Sequence, residues 1–141
     1  MTAVLTLGAE AMSSLAGADG PRQREVRAAL TAAVRLRRDV IVPAVVLAEL
    51  YRGPRRNQLV DACLSRETGI TVRSTDRALA RLVGGVLAAA EADSTMIVDA
   101  HVVASTIEFG RGVILTSDPS DIERLAAPYP TISVVDIGKP R

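Results

Sequence analysis

Three carboxylates stand in apolar company, where an acid needs a reason to be. Glu49 lies in "PAVVLAELYR" among Val45, Val46, Leu47, Ala48 and Leu50. Asp99 lies in "IVDAHVV" between Val98 and Ala100, and Asp118 lies in "TSDPSD", three residues ahead of Asp121. Carboxylates are costly to gather unless a cation compensates them. Hard oxygen ligands with water completing a near-octahedral shell suit Mg²⁺ or Mn²⁺. Thr116 and Ser117 immediately precede Asp118.

Each acid also has an ordinary structural explanation. Asp118 before Pro119 reads as a helix N-cap, with Asp121 in the favourable first turn. Asp99 reads equally as a capping or ion-pairing acid, and Glu49 as a partner of Arg52 or Arg56. What favours chemistry is the three acids together at the same edge of a parallel sheet, because sites in open parallel sheets form outside the strands' carboxyl ends.

Other chemistries find less support. His101, the only histidine, has no cysteine or second histidine with which to share a metal, and reads as a packing or surface residue. The single Cys63 in "LVDACLS" excludes an intrachain disulfide and a cysteine-based zinc site. Ser13, Ser14 and Ser117 lie in no nucleophile-elbow or Ser-His-Asp arrangement. "GGV" at 84–86 falls in mid-helix and is no phosphate loop, and Asp76 reads as a first-turn acid.

The elements that must position these residues follow from periodicity and breakers. Residues 2–6, 39–43, 69–74, 112–118 and 131–137 read as strands. Helices are expected from about Gly8 to Leu15, over 22–37 behind Pro21, over 44–52 and over 55–66 beyond Gly53-Pro54. A further helix begins at a Ser74 or Thr75 N-cap, another runs through "MIVDAHVVASTIEFG", and a short one spans "PSDIERLAA". Strands that are apolar throughout and alternate with helices predict an α/β three-layer domain around a parallel sheet. At 141 residues the chain is long enough for one domain, expected over 1–138 with a frayed tail at 139–141.

Composition narrows the field. Aromatic residues are only Tyr51, Phe109 and Tyr129, which counts against recognition by base stacking. The net charge of +1 excludes binding to nucleic acid by bulk charge. All basic residues except Lys139 are arginine, suited to bidentate phosphate contacts, although codon bias gives the same composition. Arg52, Arg55 and Arg56 in "YRGPRR" are candidates for a phosphate backbone, or a solvated basic turn. No apolar run reaches the roughly 18 residues of a membrane span and no leader pattern opens the chain, so a cytoplasmic protein with no membrane partner is expected.

The pieces "AVLTLGAEAM" (3–12), "VIVPAVVLAELYRG" (40–53) and "IVDAHVVASTIEFGRGVILTSDPSDIERL" (97–125) resemble, in order and spacing, the PIN-domain family. More narrowly they resemble the VapC-type toxin subunits of VapBC toxin–antitoxin pairs. The resemblance implies a five-stranded parallel sheet between helices and a pocket of acids holding Mg²⁺ or Mn²⁺. It further implies endoribonuclease activity, with the cation neutralising the scissile phosphate and lowering the pKa of the attacking water. By motif, Glu49, Asp99 and Asp118 match the principal acids and Asp121 a peripheral one. A homodimer, an RNA substrate and a cognate antitoxin lying across the pocket are implied as well.

The chain departs from the family pattern at the end of its first strand. A principal metal-ligand Asp is replaced there by Thr6, a neutral and poorer ligand. Some relatives carry an acid three residues before the Asp99 position, where Met96 stands here. Glu10, one helical turn beyond Thr6, is a candidate substitute. Two functions are therefore expected as alternatives: a metal-dependent endoribonuclease, or a degenerate PIN-like module that binds RNA or antitoxin with little or no cleavage.

Overall fold

The aliphatic runs become strands wherever Gly, Pro or a polar turn stops them. In the computed structural model, which describes residues 3–18 and 20–138, these are β1 (Val4–Leu7), β2 (Asp39–Pro43), β3 (Ile70–Arg73), β4 (Gly112–Thr116) and β5 (Ile132–Asp136). The connecting helices are α1 (Ala9–Ala16), α2 (Pro21–Arg35), α3 (Ala44–Leu50), α4 (Pro54–Arg66) and α5 (Arg77–Ala89). A 3₁₀ turn (Ser94–Met96) then leads into α6 (Ile97–Ile107), and α7 (Pro119–Ala126) follows β4. Pro21, Pro54 and Pro119 open α2, α4 and α7, where a proline's missing N–H and fixed φ are no handicap. The expected frayed tail, and the first residue of the expected 2–6 strand, lie outside the described residues.

Every pairing in the sheet is parallel, in the order β3-β2-β1-β4-β5. The chain builds outward from β1 to β3 on one side, then returns to build β4 and β5 on the other. The order therefore switches between β1 and β4, which leaves a crevice outside their carboxyl ends. Along β1 the side chains alternate between the two faces. Thr6 meets α6 through Thr106, whereas Leu5 shares a small cavity with Ala29 and Ala33 of α2. All four β1 residues are buried, as a central strand covered on both faces requires.

The core is aliphatic, with Leu7, Met12, Leu15, Leu79, Ile114, Ile122 and Leu125 fully enclosed. Burial of each such side chain contributes about 1.5–3 kcal/mol. Gly112 lets β4 start close under α6: a Cβ there would lie 2.6 Å from the Val4 carbonyl oxygen and 2.8 Å from Thr106 Cγ2.

Two local expectations need correction. α5 is capped by Asp76, not by Ser74 or Thr75 and not as a first-turn acid: its carboxylate accepts the Leu79 N–H at 2.9 Å. The two earlier residues lie ahead of the helix, in the stretch where Arg73 binds both Glu108 and Asp76. The fourth strand stops at Thr116 rather than at 118, because the Thr116 Oγ1 accepts the Asp118 N–H at 3.1 Å and folds the chain into a turn. No helix among the described residues is long and apolar enough to cross a membrane.

Candidate metal centre

Each acidic side chain is delivered to the sheet's carboxyl edge by an apolar anchor beside it. α1 buries Ala11, Met12 and Leu15, which leaves Glu10 exposed in its first turn. α3 buries Val46, Leu47 and Leu50, and Glu49 projects from its last turn. α7 buries Ile122, Leu125 and Ala126, leaving Asp121 exposed in the first turn and Asp118 at the N-cap. α6 is enclosed on nearly every side from Ala100 to Thr106, and Asp99 sits half-buried in its first turn.

The other four carboxylates act on Asp99 through their charge. Its carboxyl is pushed up from 3.8 to about 6, first by burial and then by the negative charges of Asp121, Glu10, Glu49 and Asp118. No cation enters that balance. Glu10, Asp99 and Asp121 each lie at a helix N-terminus, where the helix dipole favours an anion. Three dipoles make the acids individually tolerable but do not remove their repulsion. Glu49, at the C-terminal end of α3, has the dipole against it.

The ordinary explanations for these acids mostly fall away among the described residues. Asp99 caps no helix and makes no hydrogen bond or ion pair; Met96 holds the N-cap position of α6. Glu49 forms no ion pair with Arg52 or Arg56, since the Arg52 guanidinium donates to the Ala48 and Tyr51 carbonyls at 3.0 and 3.4 Å. Asp118 occupies the N-cap position without capping a backbone N–H, and instead accepts from the Ser120 hydroxyl at 3.2 Å.

The uncharged candidates are placed differently. Thr6 is fully buried, and its hydroxyl lies 2.8 Å from that of Thr106, two helical turns beyond Asp99 on α6. Thr106 Oγ1 is also 2.8 Å from the Val102 carbonyl, which can only accept. The single Thr106 proton therefore goes to Val102, and Thr6 donates its own to Thr106. Thr116 is buried and orders the turn carrying Asp118, while Ser117 is half-buried beside Gly138. Arg55 and Arg56 are exposed and take part in no ion pair among the described residues. His101 is buried, with Nδ1 2.8 Å from the Ile97 carbonyl, as a packing residue would be. Thr106 escaped the sequence reading altogether, because nothing in a helical "ASTI" shows that a hydroxyl will meet a strand a hundred residues away.

In kind, this donor set fits a hard divalent cation: five carboxylates, one of them half-buried, with no compensating charge. In spacing it is open, because no three of the described His, Cys, Asp or Glu side chains stand close enough to ligate one ion. Four of the five are exposed. A cavity of about 880 Å³ lies elsewhere, bounded by Ser14, Gly17, Arg22 and Gly138, and none of the five acids lines it.

No family model matches the chain, and no curated protein matches it. Solved structures do. VapBC2 from Rickettsia felis, bound to a DNA fragment from their promoter, superposes with a TM-score of 0.64 at 13% identity, over 94% of this chain and 98% of that one. FitAcB from Neisseria gonorrhoeae superposes with a TM-score of 0.62 at 15% identity, over 96% and 99%. At such identities the likeness is one of fold: this chain shares the α/β architecture of those two structures, around its own all-parallel five-stranded sheet.

Proposed function

We propose that this chain is a toxin-type PIN endoribonuclease, dependent on Mg²⁺ or Mn²⁺ and neutralised by a cognate antitoxin. The observation that carries the reading is a half-buried, unpaired Asp99 near the sheet's switch point, in the electrostatic field of Asp121, Glu10, Glu49 and Asp118. A bound divalent cation would supply Lewis acidity and offset charge on a phosphodiester. Asp99, Asp118 and Glu49 are the residues to hold it, with Asp121 and Glu10 at the margin. The Thr116 hydroxyl keeps the Asp118 turn in place. The acids sit on an open edge rather than in the large cavity, an arrangement that suits a polymer strand better than a small molecule. Arg52, Arg55 and Arg56 lie on the surface just beyond the Glu49 helix and serve the RNA backbone.

Likeness to the VapBC2 and FitAcB structures supports a protein partner, and we take it to be an antitoxin that covers the acidic edge. A homodimer in the cytoplasm completes the reading. One observation favours the alternative, a PIN-like module that binds without cutting: Thr6 supplies no charge, and its hydroxyl is turned to Thr106. RNA cleavage in Mn²⁺ or Mg²⁺ by this chain, by Thr6→Asp and by Asp118→Ala separates the two. The nuclease reading expects the chain to cut and Asp118→Ala to lose activity. Cleavage by Thr6→Asp alone would establish the binding module instead.

A further inference from the structure

Arg124 lies on the outer side of α7, away from any motif, and reaches two other elements. Its guanidinium donates to the Ala90 carbonyl at 3.1 Å and to the Glu91 carbonyl at 3.5 Å, across the end of α5. A second nitrogen meets the Met96 sulfur at 3.5 Å. The end of α5 needs this partner. Glu91 takes a left-handed conformation (φ 52°) that glycine usually fills, while Glu91 and Ala92 fold their N–H groups back to Ala88 and Leu87 at 3.1 and 2.9 Å. The last carbonyls are thereby turned outward with the negative end of the helix dipole, and a guanidinium satisfies both.

The consequence reaches the acids. Arg124 is one helical turn past Asp121 on α7, and Met96 is three residues before Asp99 at the start of α6. One side chain thus pins α7 to the segment that launches α6. We propose that Arg124 is a positioning residue that fixes the helix carrying Asp121 relative to the segment leading into Asp99, and so sets the spacing of the cation site. This rests on the cation reading above but is anchored in its own contacts. The buried faces of α6 and α7 hold the two helices together, but among the described residues no other side-chain hydrogen bond ties the segment from Ala90 to Met96 across to α7.

The test compares Arg124→Ala, Arg124→Lys and Arg73→Ala in the full chain, each by Mn²⁺ titration followed by electron paramagnetic resonance and by metal-free amide hydrogen exchange. Arg73→Ala breaks the Arg73–Glu108 clamp, which lies outside the acid group, and controls for general loosening. Arg124→Ala should weaken Mn²⁺ binding roughly 10-fold, as lost outer-shell support does, and speed exchange locally over 90–99. Arg124→Lys should recover much of the affinity by capping one carbonyl, and Arg73→Ala should leave affinity unchanged. Wild-type affinity in Arg124→Ala, or an equal loss in Arg73→Ala, would overturn the proposal. If the wild-type chain itself takes no Mn²⁺, the nuclease reading falls. Positioning is then judged by exchange alone, and unaltered exchange over 90–99 in Arg124→Ala rejects it.

Discussion

Replacing Asp99 by Asn gives a sharp test of the crowded carboxylates. The folded carboxyl binds its proton more tightly than the unfolded one, with values of about 6 against 3.8. Between those limits the native state holds more protons than the unfolded state, so ionising Asp99 lowers stability as pH rises, and the loss is complete above about pH 6. The interval corresponds to a ceiling of about 3 kcal/mol. Asp99 is only half-buried, and solvent screening reduces this to about 1–1.5 kcal/mol. Asn resembles the protonated acid in size and carries no charge. In urea unfolding with chelator present, Asp99→Asn should therefore match the parent near pH 3.5 and exceed it by about 1–1.5 kcal/mol at pH 7.5. Excess Mn²⁺ at pH 7.5 should narrow the gap, since it stabilises the parent and much less the variant. A difference that does not change with pH, or a variant less stable at pH 7.5 than at pH 3.5 relative to the parent, would refute the picture of an uncompensated acid group.

Two further predictions concern hydrogen bonds. Thr106→Val leaves the buried Thr6 hydroxyl without an acceptor and should lower stability by about 1–3 kcal/mol, whereas Thr6→Val leaves Thr106 bonded to Val102 and should matter less. The double variant should be more stable than Thr106→Val alone; additive losses in a double-mutant cycle would show the two hydroxyls to be uncoupled. Asp76→Ala removes the α5 cap and a partner of Arg73, and should lower the urea midpoint. Ser74→Ala and Thr75→Ala should change nothing measurable, and a loss at either would restore the earlier cap position.

Much of this domain was legible before any coordinates. The run "DVIVP" is a strand because three β-branched apolar residues end at a proline, and its observed bounds, Asp39–Pro43, coincide with those expected. Pro21, Pro54 and Pro119 announce helix starts by local geometry alone. Strands apolar on both faces, separated by helices, require a parallel sheet whatever their order. Glu49, Asp99 and Asp118 stood out because an acid in an apolar run has no local partner.

Other features depend on residues far apart in sequence, and only the tertiary structure decided them. The order β3-β2-β1-β4-β5 brings the turn after β1 beside the turn after β4, and with it Glu10 into the field of Asp99. Asp76, the cap of α5, also binds Arg73, which Glu108 holds from thirty-five residues on. Arg124 reaches back thirty-four residues to the Ala90 carbonyl. Thr6 pairs with Thr106 because α6 crosses the face of β1 that Thr6 occupies. Periodicity, caps and breakers act over one or two turns of chain and are written in the sequence itself. The partners of a buried hydroxyl, a carboxylate or a guanidinium are set by which surfaces pack together, and that is settled only when the whole chain has folded.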